Sequence, residues 1–174
     1  IAIESYKVSV HGFTPFMANN EQLVALFDIN EKLDVITMDG RELWGDDEVM
    51  GGSQTYIAHQ DPNARAETPM HHFLKARIDK LADGTVLVPL NEGSNRMFYK
   101  REFNESKIIA MQWDGYAMKE VWQTEPQGGY MADFRIADVD NDGKDEIVMG
   151  VLFSQGGLLK EIQKRSALVV YELP

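Results

Sequence analysis

Phe134-Arg-Ile-Ala-Asp138-Val-Asp140-Asn-Asp142-Gly143-Lys144-Asp-Glu146-Ile-Val-Met149-Gly150 is the stretch whose reading decides the fold. Oxygen-bearing side chains stand at positions 1, 3, 5 and 9 of a loop that begins at Asp138, with a glycine at position 6. Alternate residues of a tightly curled loop point inward, so these carboxylates converge. Hard cations of the Ca²⁺ type take six to eight oxygen ligands, and the glycine permits the sharp turn around the ion. Lys144, at position 7, would add its backbone carbonyl, which any residue can supply. Five acids lie within nine residues, and they repel one another unless something positive sits among them.

The flanks decide what kind of loop this is. An EF-hand needs a bidentate Glu at position 12 and a helix on each side. Position 12 here is Met149, inside the apolar, β-branched run Ile147-Val-Met-Gly-Val-Leu-Phe153. Phe134, Ile136 and Val139 on the other side are also strand-like. The expected local structure is therefore strand, acidic loop, strand. The metal-ligand set is Asp138, Asp140, Asp142, Glu146 and the Lys144 carbonyl, and the ion is Ca²⁺. The competing reading is a solvated acidic hairpin, and the spacing together with the glycine favours the metal.

The string Ala137-Asp-Val-Asp-Asn-Asp-Gly-Lys-Asp-Glu-Ile-Val-Met-Gly150 resembles the calcium loop of the FG-GAP/VCBS repeat, the blade of integrin-α-like β-propellers. That family's pattern, Asp-x-Asp-x-Asp-Gly-x-x-Asp/Glu before an apolar strand, fits Asp138, Asp140, Asp142, Gly143 and Glu146 without a gap. The resemblance implies an all-β fold of four-stranded, propeller-like blades. It also implies a calcium-stabilised module that contacts protein or carbohydrate at cell surfaces, without catalysis.

A second signal of repetition lies outside the loop. Leu33 to Met38 reads as a strand, Asp39-Gly40 as a tight turn, and Arg41 to Trp44 as a strand, with Gly51-Gly52 beyond. Ile108 to Trp113, Asp114-Gly115, Tyr116 to Trp122 and Gly128-Gly129 repeat that order about 75 positions later. Self-similarity at a fixed spacing marks a repeat architecture. This piece also resembles the outer hairpin of the same blades. Glu4 to Val10 alternates as a strand, Gly12 to Asn20 reads as a loop around Pro15, and Leu23 to Ile29 is a further strand.

Between the copies, Thr68 to Leu81 fits either an N-capped amphipathic helix or a strand. Ala82-Asp83-Gly84-Thr85 before Val86-Leu-Val88 is like a worn copy of the calcium loop, which favours strand–turn–strand across Ala64 to Glu92. Asp79 and Asp83 are present there but most of the carboxylates are not, so no calcium is expected at that turn. Ser94 to Ser106 and Ser154 to Ser166 read as insertions, the latter with a short helix as its alternative. Ala167 to Leu173 is the last strand. The sum is eleven or twelve strands in about three blade-like units, roughly 1–50, 51–125 and 126–174, of one domain. Propellers close with four to eight blades, so three units imply the C-terminal part of a longer propeller. Missing upstream blades, or another chain, would complete it. Ile1 to Val10 is a candidate for the outer strand that the last unit lacks.

Composition narrows the function classes. A net charge of −11 over 174 residues offers no basic face for nucleic acid or anionic membrane. No apolar run reaches the length of a membrane span. There are no cysteines, hence no disulfide and no thiolate zinc site. No signal segment is visible and the chain begins at Ile1 rather than Met, which reads as a processed fragment with room for a targeting segment upstream; a calcium-stabilised fold without cysteine suits a secreted, periplasmic or cell-surface location.

Candidate catalytic sets are absent from the sequence. No nucleophile elbow, phosphate-cradling glycine loop or cysteine nucleophile occurs. His71-His72 is a poor zinc pair, because neighbours in a chain point apart. Trp44 and Trp122 read as packing residues, or as a platform for sugar. The expectation is therefore a non-catalytic binding or scaffold module. Its rival is part of a secreted carbohydrate-active enzyme, whose mark would be a cleft holding two acids beside Trp44, Trp113 or Trp122.

Overall fold

A computed structural model of the chain describes residues 11–59, 70–93, 101–155 and 163–174. Among the described residues every regular element is a strand. Phe13–Ala18 (β1), Glu21–Phe27 (β2), Lys32–Thr37 (β3) and Glu42–Val49 (β4) form a four-stranded antiparallel meander in that order. Tyr56–His59 (β5) and Met70–Phe73 (β6) pair as a small hairpin. Asp79–Lys80 (β7), Val86–Glu92 (β8), Glu105–Trp113 (β9) and Met118–Gln123 (β10) form the second meander. Gln127–Gly128 (β11) continues along β9 beyond β10. Tyr130–Ala137 (β12), Glu146–Gln155 (β13) and Gln163–Glu172 (β14) form the third.

The second sheet lies between the other two, and its sequence shows why. Along β8, Val86 and Val88 point one way and Leu87 the other; along β9, Ile109 and Met111 oppose Ile108 and Ala110. One set joins Phe16, Leu23, Phe27, Leu33 and Val35 of the first sheet in a single core. The other joins Phe134, Ile147, Met149 and Val151 of the third sheet in a second core. A strand covered on both faces reads as a continuous apolar run rather than an alternation, and Val86 to Val88 is such a run.

A buried polar staple holds the layers in register. Asn91, fully buried on β8, donates from Nδ2 to the Gly52 carbonyl (2.9 Å) and the Met131 carbonyl (3.0 Å). Its Oδ1 accepts from the Met131 N–H at 2.9 Å. One amide thus ties the linker after β4 to both β8 and β12. The positions that allow this approach are glycines. A Cβ on Gly52 would lie 2.9 Å from the Phe103 ring, and one on Gly129 would lie 2.6 Å from the Leu152 carbonyl. Both residues also have positive φ, +90° and +115°, which L side chains resist.

Several sequence expectations meet the structure directly. The two Asp-Gly turns are alike: Gly40 and Gly115 have φ of 89° and 104°, and they join β3 to β4 and β9 to β10. Ala82-Asp83-Gly84 is the turn between β7 and β8, so strand–turn–strand replaces the helix alternative over residues 70–92. Gly12 to Asn20 is not a loop: Phe13–Ala18 is a strand despite Pro15. β1 is the outermost strand of its sheet, where a missing N–H need not break a ladder. The short-helix alternative after Ser154 rests on Leu158, Leu159 and Ile162, which lie outside the described residues; on either side of them the ends of β13 and β14 pair. Among the described residues the sheets hold four, five, three and two strands and none closes on itself, so the all-β class is shown and four-stranded blades are not. The strand expected over Glu4 to Val10, and its use as an outer strand, lie outside the described residues.

Replacing Asn91 by Ala should strand the Met131 N–H and two carbonyls inside the protein. Each buried unsatisfied group costs about 1–3 kcal/mol, so a loss of roughly 3 kcal/mol in urea unfolding is expected. A loss below about 1 kcal/mol would show that the amide is not the staple described.

Candidate metal centre

The acidic loop joins β12 to β13, closing a hairpin whose last pair is Ala137 opposite Glu146. Asn141 (φ 64°) and Gly143 (φ 89°) take left-handed backbone, which curls the chain between them. The acids themselves hold the curl. Asp138 accepts from the Asp142 N–H through Oδ1 (3.1 Å) and from the Gly143 N–H through Oδ2 (3.0 Å). Asp140 Oδ1 accepts from the Asp142 N–H at 3.0 Å, and Asp142 Oδ1 from the Lys144 N–H at 2.8 Å. Short acids at turn positions capture nearby amides in this way.

The outcome is a convergent set. Asp138, Asp140, Asp142 and Glu146 each bring one carboxylate oxygen into a group whose members all lie within 4.8 Å of one another, and such a cluster can bind a metal ion. Among the described residues no other group of three or more such side chains meets this geometry. The three aspartates are exposed, whereas Glu146 is buried at 1% exposure. Its Oε2 accepts from the Val139 N–H at 2.8 Å, and its Oε1 has no hydrogen-bond partner. A buried carboxylate oxygen without a donor costs several kcal/mol unless a cation or donor reaches it. The residues present therefore fit an ion: three exposed carboxylates and one buried carboxylate with an unsatisfied oxygen converge where a cation would neutralise them.

Lys144 Nζ lies 3.6 Å from Asp142 Oδ2, an exposed pair on the loop's outside. Screening leaves such a pair worth little, so it does not substitute for a cation. Asp145 is exposed and stands outside the convergent set, in line with its position between the ligand positions.

The other positions singled out in the sequence go elsewhere. Asp83 spends both oxygens on Thr85, accepting from its N–H (2.9 Å) and its hydroxyl (3.0 Å). Asp79 Oδ1 accepts from the Lys80 N–H at 2.8 Å. His71 stacks on Tyr56 with ring centroids 4.0 Å apart, and His72 is exposed on the same strand. Trp44 and Trp113 pack against the core between the first two sheets, and Trp122 against the core of the third.

Two features were not legible in the sequence. Asn19, Glu21, Leu43, Trp113 and Tyr116 surround a hollow of about 280 Å³ between the β1–β2 turn and the β9–β10 turn. The pair Asn19-Asn20, both with positive φ, is the one sequence clue to the tight turn on its rim. The second is Asp34 on β3. Burial, with Asp28 and Glu42 nearby, pushes its carboxyl up from 3.8 to about 6.

Compared with protein-family models, with curated proteins and with solved structures, the chain matches none.

Asp34 makes a pH prediction. The folded chain holds this proton more tightly than the unfolded chain. Its contribution is therefore favourable below about pH 4 and is lost as pH rises to about 6, leaving a charged, half-buried carboxylate at neutral pH. Asp34→Asn should stabilise the chain at about pH 7.5 relative to its effect at about pH 4, by on the order of 1 kcal/mol once solvent screening is allowed for. Equal effects at both pH values in denaturant titrations would contradict the assignment.

Proposed function

We propose that this chain is a calcium-stabilised, non-catalytic binding module of the FG-GAP/VCBS type, working outside the cytoplasm. The observation that carries this reading is the unsatisfied Oε1 of buried Glu146 beside three converging aspartates. Four carboxylates plus the Lys144 carbonyl give five or more oxygen donors and no nitrogen or sulfur. Zinc prefers His and Cys. Magnesium keeps most of its water and uses one or two carboxylates. Calcium accepts many oxygens in flexible geometry, and a loop open to solvent on three of its four acids suits the weak sites of extracellular modules, with Kd of about 10⁻⁴–10⁻³ M.

The ion's role is mechanical. It bridges the end of β12 to the start of β13 and removes the repulsion among the four acids. Each of the three larger sheets is then a blade-like unit, the first two each carrying an Asp-Gly hairpin, and further blades or another chain complete the array. The binding role is supported by the hollow beside Trp113. It holds one carboxylate, Glu21, whereas glycoside hydrolysis of the usual kind takes two.

Calcium should raise the melting temperature. At a hundredfold excess over Kd a ligand adds about 2.7 kcal/mol, which for a chain of this size is a rise of about 5–10 °C. Asp140→Ala should abolish the rise. Melting curves that coincide with calcium and with chelator would remove the structural ion. Glu146→Gln tests the buried oxygen separately. It keeps an acceptor for Val139 while removing a charge, so it should leave the chelated chain as stable as the parent, or more so, and cut the calcium shift by at least half. An unchanged calcium shift would exclude Glu146 as a ligand.

A further inference from the structure

We propose that the hollow between the β1–β2 and β9–β10 turns is a binding site for a neutral sugar ring. The inference rests on the reading of the chain as a binding module and makes no use of the metal. The hollow measures about 280 Å³, just under the roughly 300–1,000 Å³ of small-molecule sites, which suits a single small ring.

Part of its lining is apolar. Leu23 is buried, and Leu43 and Trp113 are partly buried, all in the core between the first two sheets. Its rim is polar: the Asn19 amide, the Glu21 carboxylate and the Tyr116 phenol. Tyr116 is 87% exposed, the highest value among the exposed large hydrophobic residues described.

Both turns on the rim are stiff. Asn19 and Asn20 have φ of 50° and 63°, as a two-residue hairpin demands. Asp114 Oδ1 accepts from the N–H groups of Tyr116 (2.8 Å) and Ala117 (2.9 Å), which fixes the backbone that carries the phenol. The two tips belong to different sheets, yet a Cβ on Gly115 would lie 3.7 Å from Asn19 Nδ2. A rim of this kind is pre-organised, so little ordering cost attends binding.

The chemistry selects the ligand class. A pyranose presents a face of C–H bonds that suits the negative face of an aromatic ring. Its hydroxyls both donate and accept. The Glu21 carboxylate accepts only, whereas the Asn19 amide and Tyr116 hydroxyl do both. An anion is opposed by Glu21 and by the net charge of −11. A quaternary ammonium would use Glu21 and the rings but leave the donors of Asn19 and Tyr116 idle. A single ring in an open hollow should bind in the millimolar range.

The test is ¹⁵N-labelled chain titrated, in calcium, with glucose, galactose, mannose and N-acetylglucosamine to about 50 mM. Choline serves as the cationic comparison. At least one sugar should shift the amides of Asn19, Glu21, Trp113 and Tyr116. Tyr116→Ala, whose exposure makes misfolding no concern, should weaken that sugar at least fivefold with an otherwise unchanged spectrum. Glu21→Gln should weaken it as well. The inference is overturned if no sugar shifts these amides, if the shifts fall elsewhere, if Tyr116→Ala binds as well as the parent, or if choline alone binds. Calcium melting on the same samples reports the metal separately, so failure of one reading is not mistaken for failure of the other.

Discussion

The whole arrangement depends on one sheet being apolar on both faces. β8 and β9 carry Val86, Val88, Ile109 and Met111 toward the first sheet, and Leu87, Ile108 and Ala110 toward the third. The first sheet buries its other face too, with Val24, Leu26 and Ile36 in a separate cluster, but among the described residues only the second sheet shares a core with each of its neighbours. The stack is therefore organised from its middle outward. Hydrophobic burial is non-directional and does not by itself fix how sheets sit on one another. Asn91 supplies direction, because its amide meets its partners in one alignment of β8, β12 and the Gly51-Gly52 linker only. A buried amide with satisfied bonds specifies a register that apolar contact leaves loose.

The acidic loop poses the opposite physical problem. Four carboxylates are brought together by backbone curvature, not by any attraction among themselves. The loop's own amides satisfy part of their acceptor capacity, which explains how the hairpin holds its shape. Glu146 Oε1 lies beyond the reach of those amides. The loop is thus shaped by hydrogen bonds and left electrostatically incomplete, and a divalent cation is the simplest group that completes it. Placement matters too, since Glu146 is the first residue of β13, the central strand of its sheet. An ion held there acts directly on the best-paired strand of the third layer.

The hollow at Trp113 shows how stacked sheets leave a shaped space without a motif. Its two turns close different hairpins of two successive meanders, the first of one and the last of the next, and neither is distinctive alone. Stacking the sheets brings Asn19 beside Gly115, and the space left over is walled by residues whose first duty is the core. Trp113 serves both, part in the core and part in the wall, which is why its sequence context reads as ordinary packing.

Local chemistry was readable from the sequence wherever neighbours along the chain carry it. The Asp-x-Asp-x-Asp-Gly spacing determined the loop and its four converging acids, because the ligands lie within nine residues and one turn of backbone gathers them. The two Asp-Gly turns and the apolar runs determined most strands for the same reason. Pro15 misled, since its effect depends on whether a strand lies at a sheet edge, and edge position belongs to the assembled sheet. Tertiary structure alone decided the burial of Glu146, the Asn91 staple across 40 residues, the raised Asp34 carboxyl and the hollow at Trp113. Each depends on groups distant in sequence sharing one volume, and no periodicity along a chain encodes which distant groups those will be.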